Sequence, residues 1–166
     1  MAGSELCKYA GFAVACTNSN ARGDYTMLLL DEKKLASLID EVKVIAIIGA
    51  VDKPGRPVDR VGRYLIDAGF KVIPVHPKRQ NVWGLETYKS ILDIPEPIDL
   101  VDLFRASQFC PAHAEECLKL KTLPKVFYMQ QDIYSPESRE ILAGKDITVI
   151  EDRCLMIDHK NLAGKK

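Results

Sequence analysis

Five apolar runs rich in β-branched residues recur along the chain: KVIAIIG from Lys43, KVIPV from Lys71, IDLVDLF from Ile98, KVFYMQ from Lys125 and DITVI from Asp146. Their hydrophobicity is mostly continuous rather than alternating, which marks strands covered on both faces, as in a parallel sheet flanked by helices. Helical signals fill the gaps. Pro57 can occupy the first turn of one helix, with Val58, Val61 and Leu65 facing inward and Gly69 as its stop. Pro111 starts another that runs to about Leu120, and Ser135 with Pro136 caps a third that ends at Gly144. Ahead of the first run, DEKKLASLIDEV spaces Leu35, Leu38, Ile39 and Val42 helically behind Asp31 as N-cap.

This β-α-β order specifies an α/β fold, a doubly wound, mostly parallel sheet of five to six strands with helices on both faces. NVWGLETYKSIL adds a short strand at Val82 and Trp83 and a short helix from Thr87. Counting that strand as the third predicts the order 3-2-1-4-5-6. At 166 residues and 47% hydrophobic content the chain supports one core without metal or disulfide staples. The domain is expected over residues 27–166. Residues 1–26 mix Gly, Ala, Ser, Asn and Thr without a sustained period and read as a poorly ordered leader.

Lys and Arg total 23 and so do Asp and Glu, so the net charge is zero and generalised nucleic-acid binding is excluded. Any anion site is therefore local. Cys7, Cys16, Cys110, Cys117 and Cys154 form no C-x-x-C pair and read as reduced thiols of a cytoplasmic protein. No apolar stretch approaches the roughly 20 residues of a membrane span.

In doubly wound sheets, ligands bind beyond the carboxyl ends of the strands, which directs attention to four loops. The first, GAVDKPGRPVDRVG from Gly49, delivers the chain into a helix N-terminus whose free N–H groups attract phosphate, with Lys53, Arg56 and Arg60 adding charge. It lacks the second glycine of G-x-G-x-x-G, and Asp52 interrupts it, so an ordinary glycine turn is the alternative. The second carries HPKR where an NAD site would carry an acidic residue. His76, Lys78 and Arg79 suit a phosphorylated ribose, as in NADP or coenzyme A; a rigid proline turn with a basic tip is the alternative. The third brings Phe104 and Arg105, and the fourth supplies MQQD from Met129.

Catalytic signals are sparse. The chain has no G-x-S-x-G elbow and no H-E-x-x-H. Cys110, His113 and Cys117 share one helix face, but three ligands fall short of a structural zinc, so no metal is expected. Cys154, beside Arg153, is either a reactive thiol or an inert core cysteine. The residues alone support a domain that binds a phosphorylated cofactor.

The string VIAIIGAVDKPGRPVDRVGRYLIDAGFKVIPVHPK, with DIPEPIDLVDLFR, VFYMQ and EDRC, closely resembles the small stand-alone proteins of the CoA-binding domain family, the YccU-like group. The likeness spans nearly all of residues 43–158 and extends to the N-terminal Rossmann domain of the succinyl-CoA synthetase alpha subunit. The resemblance implies non-catalytic binding of coenzyme A or an acyl-CoA. It matches Ala50, Val51, Asp52, Lys53, Arg56 and Pro57 to the loop that holds the CoA phosphates. Val75, His76, Pro77 and Lys78 match the segment around the adenosine end, with Lys78 the foremost phosphate contact. Phe104 and Arg105 match the strand-end contact beside that pocket, and Met129 with Gln130 the region toward the pantetheine arm. The family often reads G-A-S and R-P-S where this chain has Ala50-Val51 and Pro57-Val58, and usually Gly where Asp132 stands. An NADP-binding oxidoreductase or sensor, or an accessory subunit partnered with an acyl-CoA ligase, are the alternatives.

Overall fold

The computed structural model describes residues 32–162, together with the strand backbones at 14–16 and 27–29. Asp31 and most of the leader lie outside the described residues. In chain order the elements are β1 (Val14–Cys16), β2 (Met27–Leu29), α1 (Glu32–Asp40), β3 (Val44–Ile48), α2 (Pro57–Asp67), β4 (Lys71–Val75) and β5 (Leu100–Leu103). There follow α3 (Cys110–Leu118), β6 (Val126–Met129), α4 (Pro136–Leu142), β7 (Thr148–Ile150) and α5 (Leu155–Leu162). β1 pairs antiparallel with β2, Val14 opposite Leu29.

The five expected strands form one parallel sheet in the order β4-β3-β5-β6-β7. Each is buried along nearly its whole length, as continuous hydrophobicity requires of a sheet covered on both faces. On one face Ile45, Ile47, Leu100, Val126 and Tyr128 meet Leu35 and Ile39 of α1, Val58, Val61 and Leu65 of α2, and Leu155 of α5. On the other Ala46, Ile48, Val101, Leu103, Phe127 and Met129 meet Cys110, Ala114 and Cys117 of α3 and Leu142 of α4. Helices thus cover both faces, and the two residue sets alternate along each strand. This gives the Rossmann-like α/β architecture. Asp99 fixes the start of β3 by accepting from the backbone N–H groups of Lys43 and Val44, both at 2.9 Å.

Helix ends follow their sequence signals. Pro57 opens α2, Ser135 Oγ accepts from the Ser138 amide at the start of α4, and Gly69 turns the chain at φ +92°. One element differs. Val82 and Trp83 belong to a 3-10 turn rather than a strand, because Asn81 (φ 52°) and Trp83 (φ 54°) take left-handed conformations that no ladder tolerates. The outer position beside β4 is taken by Tyr88 alone, through a parallel bridge to Val75. The sheet therefore has five strands, and the expected 3-2-1-4-5-6 order loses its third member. Likewise the short helix expected from Thr87 is a 3-10 turn at Ile91–Asp93, closed by reciprocal capping between Ser90 and Asp93.

Trp83 has a packing role. Its indole rests on α2 where Gly62 leaves room; a Cβ at Gly62 would stand 2.3 Å from Trp83 Cη2. The indole N–H donates to Asp59 Oδ1 at 2.9 Å, and the same oxygen accepts from Arg63 Nε at 3.0 Å.

Candidate functional site: a crevice at the strand-end switch point

β3 and β5 are neighbours, yet the chain leaves β3 toward β4 on one side and reaches β5 on the other. That reversal leaves a gap above their carboxyl ends. Gly49 sits in the gap at φ +84°, and a Cβ there would lie 2.5 Å from the Phe104 carbonyl oxygen. Only glycine allows the two strand-end loops this close. Val75 joins them to β4, since its carbonyl accepts from the amides of Gly49 (2.9 Å) and Ala50 (3.3 Å). The floor of the site is thus built from backbone before any side chain enters.

A cavity of about 650 Å³ opens above this junction. From the first loop Gly49, Val51, Lys53, Arg56 and Pro57 line it, and α2 adds Val58, Arg60 and Val61. Ala50 is fully buried beneath, and Asp52 stands outside the lining, bonded to Arg79 at 3.4 Å. No side chain caps α2, whose N-cap is Arg56 in extended conformation. The positive end of its dipole therefore stands among Lys53, Arg56 and Arg60, although Pro57 has no N–H and the Asp59 and Arg60 amides donate to the Arg56 carbonyl at 3.1 and 3.2 Å.

The second loop contributes differently from its expected role. Arg79 lines the cavity, whereas Val75 is core and His76, Pro77 and Lys78 are absent from the lining. The Lys78 amide donates to His76 Nδ1 at 3.1 Å, and the His76 amide donates to the Tyr88 carbonyl at 2.9 Å. These bonds make the HPK segment a turn that presents Arg79. Burial, and then the positive charges of Arg79, Arg105 and Lys78, push the His76 imidazole below its usual value. The lowered value favours the neutral ring, whose Nδ1 is the acceptor in that turn.

From the third loop Phe104, Arg105 and Ala106 reach the cavity, with the Arg105 guanidinium 4.6 Å from the centroid of the Phe109 ring. On the fourth side Gln130, Gln131 and Ile133 line it with the acidic Asp132, and Cys154 comes across from the segment after β7. Met129 is fully buried and contributes packing rather than lining. Asp132 holds φ 66°, where glycine is usual, and its amide donates to Asp152 Oδ1 at 2.8 Å. Asp152 also accepts from the Tyr134 hydroxyl at 2.6 Å, so a local bonded cluster holds a backbone conformation that L residues rarely adopt.

Behind this wall lies a polar group within the core. Asp102, on β5, is completely buried; Gln130 Nε2 donates to its Oδ1 at 2.8 Å, and Oδ2 has no partner among the described residues. Burial lifts its carboxyl to about 7, against the lowering effect of the Gln130 bond. Next to it the buried Tyr128 hydroxyl donates to Asp158 Oδ2, which Arg153 also engages in a two-pronged pair at 2.7 and 2.6 Å. Cys110 and Cys117 pack inside α3, their thiols raised by burial to about 11 and about 12, while His113 bonds Glu116 at 2.8 Å. Asp102 and Ile133 were not singled out by sequence reasoning, whereas Gln131 belongs to the MQQD loop it pointed to. Asp102 left a signal, an acidic residue inside a strand covered on both faces.

Among the described residues no helix is long and apolar enough to cross a membrane. The chain is 35% identical over 126 residues to the uncharacterized protein YneT of Bacillus subtilis, covering 76% of this chain and 92% of that one. It is 31% identical over 128 residues to an ADP-forming acetate–CoA ligase of Methanocaldococcus jannaschii, spanning 72% of this chain but only 18% of the ligase. Among solved structures, a hypothetical protein from Pyrococcus horikoshii OT3 superposes with a TM-score of 0.75 at 32% identity, over 81% of this chain and 94% of that one. A Thermus thermophilus protein gives 0.74 at 37%, over 80% and 99%. The model of the CoA binding domain matches residues 43–160, a span that contains all four strand-end loops and the Asp102–Gln130 pair, and the chain belongs to that family.

Proposed function

We propose that the crevice binds coenzyme A, or an acyl-CoA, by recognition alone, with no chemistry contributed by this chain. The observation that carries the reading is the convergence of Lys53, Arg56, Arg60 and Arg79 on the uncapped start of α2, at the switch point of a sheet in the CoA binding domain family. The residues present fit the group. Cations and the positive end of the α2 dipole suit phosphates, and the amide side chains of Gln130 and Gln131 with Ile133, on a wall that also carries Asp132, suit an amide-bearing arm. Titration calorimetry tests the reading with CoA, 3′-dephospho-CoA and NADPH. CoA is expected to bind most tightly and to lose affinity as salt rises. NADPH binding as tightly as CoA overturns the reading in favour of a nicotinamide cofactor.

A second reading is favoured by the ligase relationship: the chain serves as the CoA-holding part of an ADP-forming acyl-CoA ligase encoded separately. It predicts that adding this chain restores CoA-dependent turnover to a ligase polypeptide stripped of its own CoA-binding region. Absence of restored turnover, with CoA bound normally, leaves the stand-alone binder.

A further inference from the structure

We infer that Asp102 is a positioning residue for ligand recognition, fixing the Gln130 amide so that its carbonyl oxygen, not its amino group, is offered to the crevice. The inference rests on the CoA reading for the ligand class and deepens it: the Gln130 wall reads an N–H donor, such as an amide of the pantetheine arm.

The argument starts from the hydrogen-bond inventory. An ionised carboxylate is acceptor-only, so beside it a glutamine must turn its NH₂ inward and its carbonyl away. Gln130 does this, with Nε2 2.8 Å from Asp102 Oδ1, and among the described residues no group donates to its Oε1. Gln130 lines the crevice and Asp102 does not. The orientation of the lining partner is therefore set by the one behind it.

Asp102 Oδ2 supplies the second observation. A carboxyl fully buried with one oxygen unpartnered costs stability, and an apolar or amide side chain of similar size would serve the core better. A purely structural role does not account for it. Orientation of Gln130 does, because an asparagine can face the glutamine with either end, whereas a carboxylate accepts one arrangement only.

The same pair has a second state. Protonated Asp102 can donate to the Gln130 carbonyl, which turns the amide and offers NH₂ to the crevice instead. Burial brings the carboxyl to about 7, so both forms are populated near neutral pH. The groups around it are apolar or engaged in bonds of their own. Ile47, its register partner on β3, is apolar, and Val58 and Val61 of α2 belong to the same cluster. Asp59 of α2 is bound to Trp83 and Arg63. On β6 the Tyr128 phenol, opposite Asp102 in register, is raised well above its usual value, and on its far side Asp158 is paired with Arg153.

The test measures dissociation constants for CoA and for adenosine 3′,5′-bisphosphate, which lacks the arm, from pH 5.5 to 8.5. It compares the unmodified chain with Asp102→Asn and Gln130→Met, each first checked for folding by circular dichroism. In the unmodified chain CoA should tighten about fivefold between pH 6 and 8 relative to the Asp102→Asn protein at the same pH. Gln130→Met should lose the same step and weaken CoA while leaving the bisphosphate within about twofold. A pH step of equal size in the unmodified chain and in Asp102→Asn, or equal losses of both ligands in Gln130→Met, overturns the inference and leaves the CoA reading standing. Failure of the unmodified chain to bind either ligand removes both. Should Asp102→Asn not fold, Gln130→Met makes the same decision alone.

Discussion

The crevice has two polar regions built on opposite physical terms. On the rim, Arg79 and Asp52 are 3.4 Å apart with side chains 45% and 41% exposed, and Lys53, Arg56 and Arg60 stand exposed beside them. Such pairs contribute about 0 to 1 kcal/mol and are screened by salt, so the rim carries charge without committing it to the fold. Behind the wall, Arg153 grips an Asp158 whose side chain is 6% exposed, Tyr128 donates to the same carboxylate, and Asp102 is dehydrated altogether. There each polar atom matters to stability, because an unpaired one has no water to turn to. The rim is thus arranged for a visitor and the inner network for order, and the two meet at Gln130.

The sharpest way to break this contrast is to cut the inner network. Arg153→Leu leaves Asp158 buried beside Tyr128 with its charge unmatched and should cost about 3 to 5 kcal/mol in urea unfolding. A loss below about 1 kcal/mol would show that the network is as loosely held as the rim. Gly49→Ala comes next, at about 2 to 4 kcal/mol, since it adds a positive-φ penalty to a Cβ placed 2.5 Å from the Phe104 carbonyl. Thermal melts at fixed pH would report it, and a neutral outcome would mean that the two strand-end loops are not in fact pressed together.

Asp102→Asn should change stability in the opposite direction. A carboxyl raised in the fold from the ordinary range near 4 to about 7 holds its proton more tightly folded than unfolded, so stability is lost as pH climbs across that window. The asparagine variant escapes the loss. It should match the parent near pH 4 and gain up to ~4 kcal/mol by pH 8, and equal pH slopes would count against the burial of Asp102 as described. The smallest stability effect belongs to the rim: Arg79→Ala should shift unfolding by less than about 0.5 kcal/mol yet weaken CoA about tenfold at low salt. Lys78→Ala, outside the lining, should weaken it less than about twofold. Reversal of that order would restore Lys78 as the foremost contact.

Much of the fold could be read directly because its signals are local. Continuous β-branched runs gave the five parallel strands, and Pro57, Gly69 and Ser135 marked helix ends through dihedral limits and capping that hold wherever those residues sit. The reading erred where long-range packing overrode a local pattern. Val82 and Trp83 look like a strand, but Trp83 is drawn onto Gly62 and Asp59 across 20-odd positions of sequence, and the backbone bends into left-handed geometry to allow it. Helix α5 was not foreseen at all. It has little amphipathic pattern and is held by Arg153 and Tyr128 gripping Asp158, and by the Tyr64 hydroxyl 2.8 Å from His159 Nδ1. In the site, the basic run HPKR was legible as charge, but not which member turns inward; that choice depends on the Lys78–His76 turn and on Asp52. The expected Met129 is core, whereas its neighbour Gln130 reaches the cavity, as the alternation of a strand end requires.

Trp83 is the chain's one tryptophan, and its half-buried indole lies on α2, the helix whose first turn opens onto the crevice. Because its N–H is bonded to the Asp59 carboxylate in that first turn, any shift of the helix start alters the dipoles around the ring. The molecule therefore carries a built-in optical gauge. The colour and intensity of its ultraviolet emission follow what happens at the crevice end of the helix, with no dye attached.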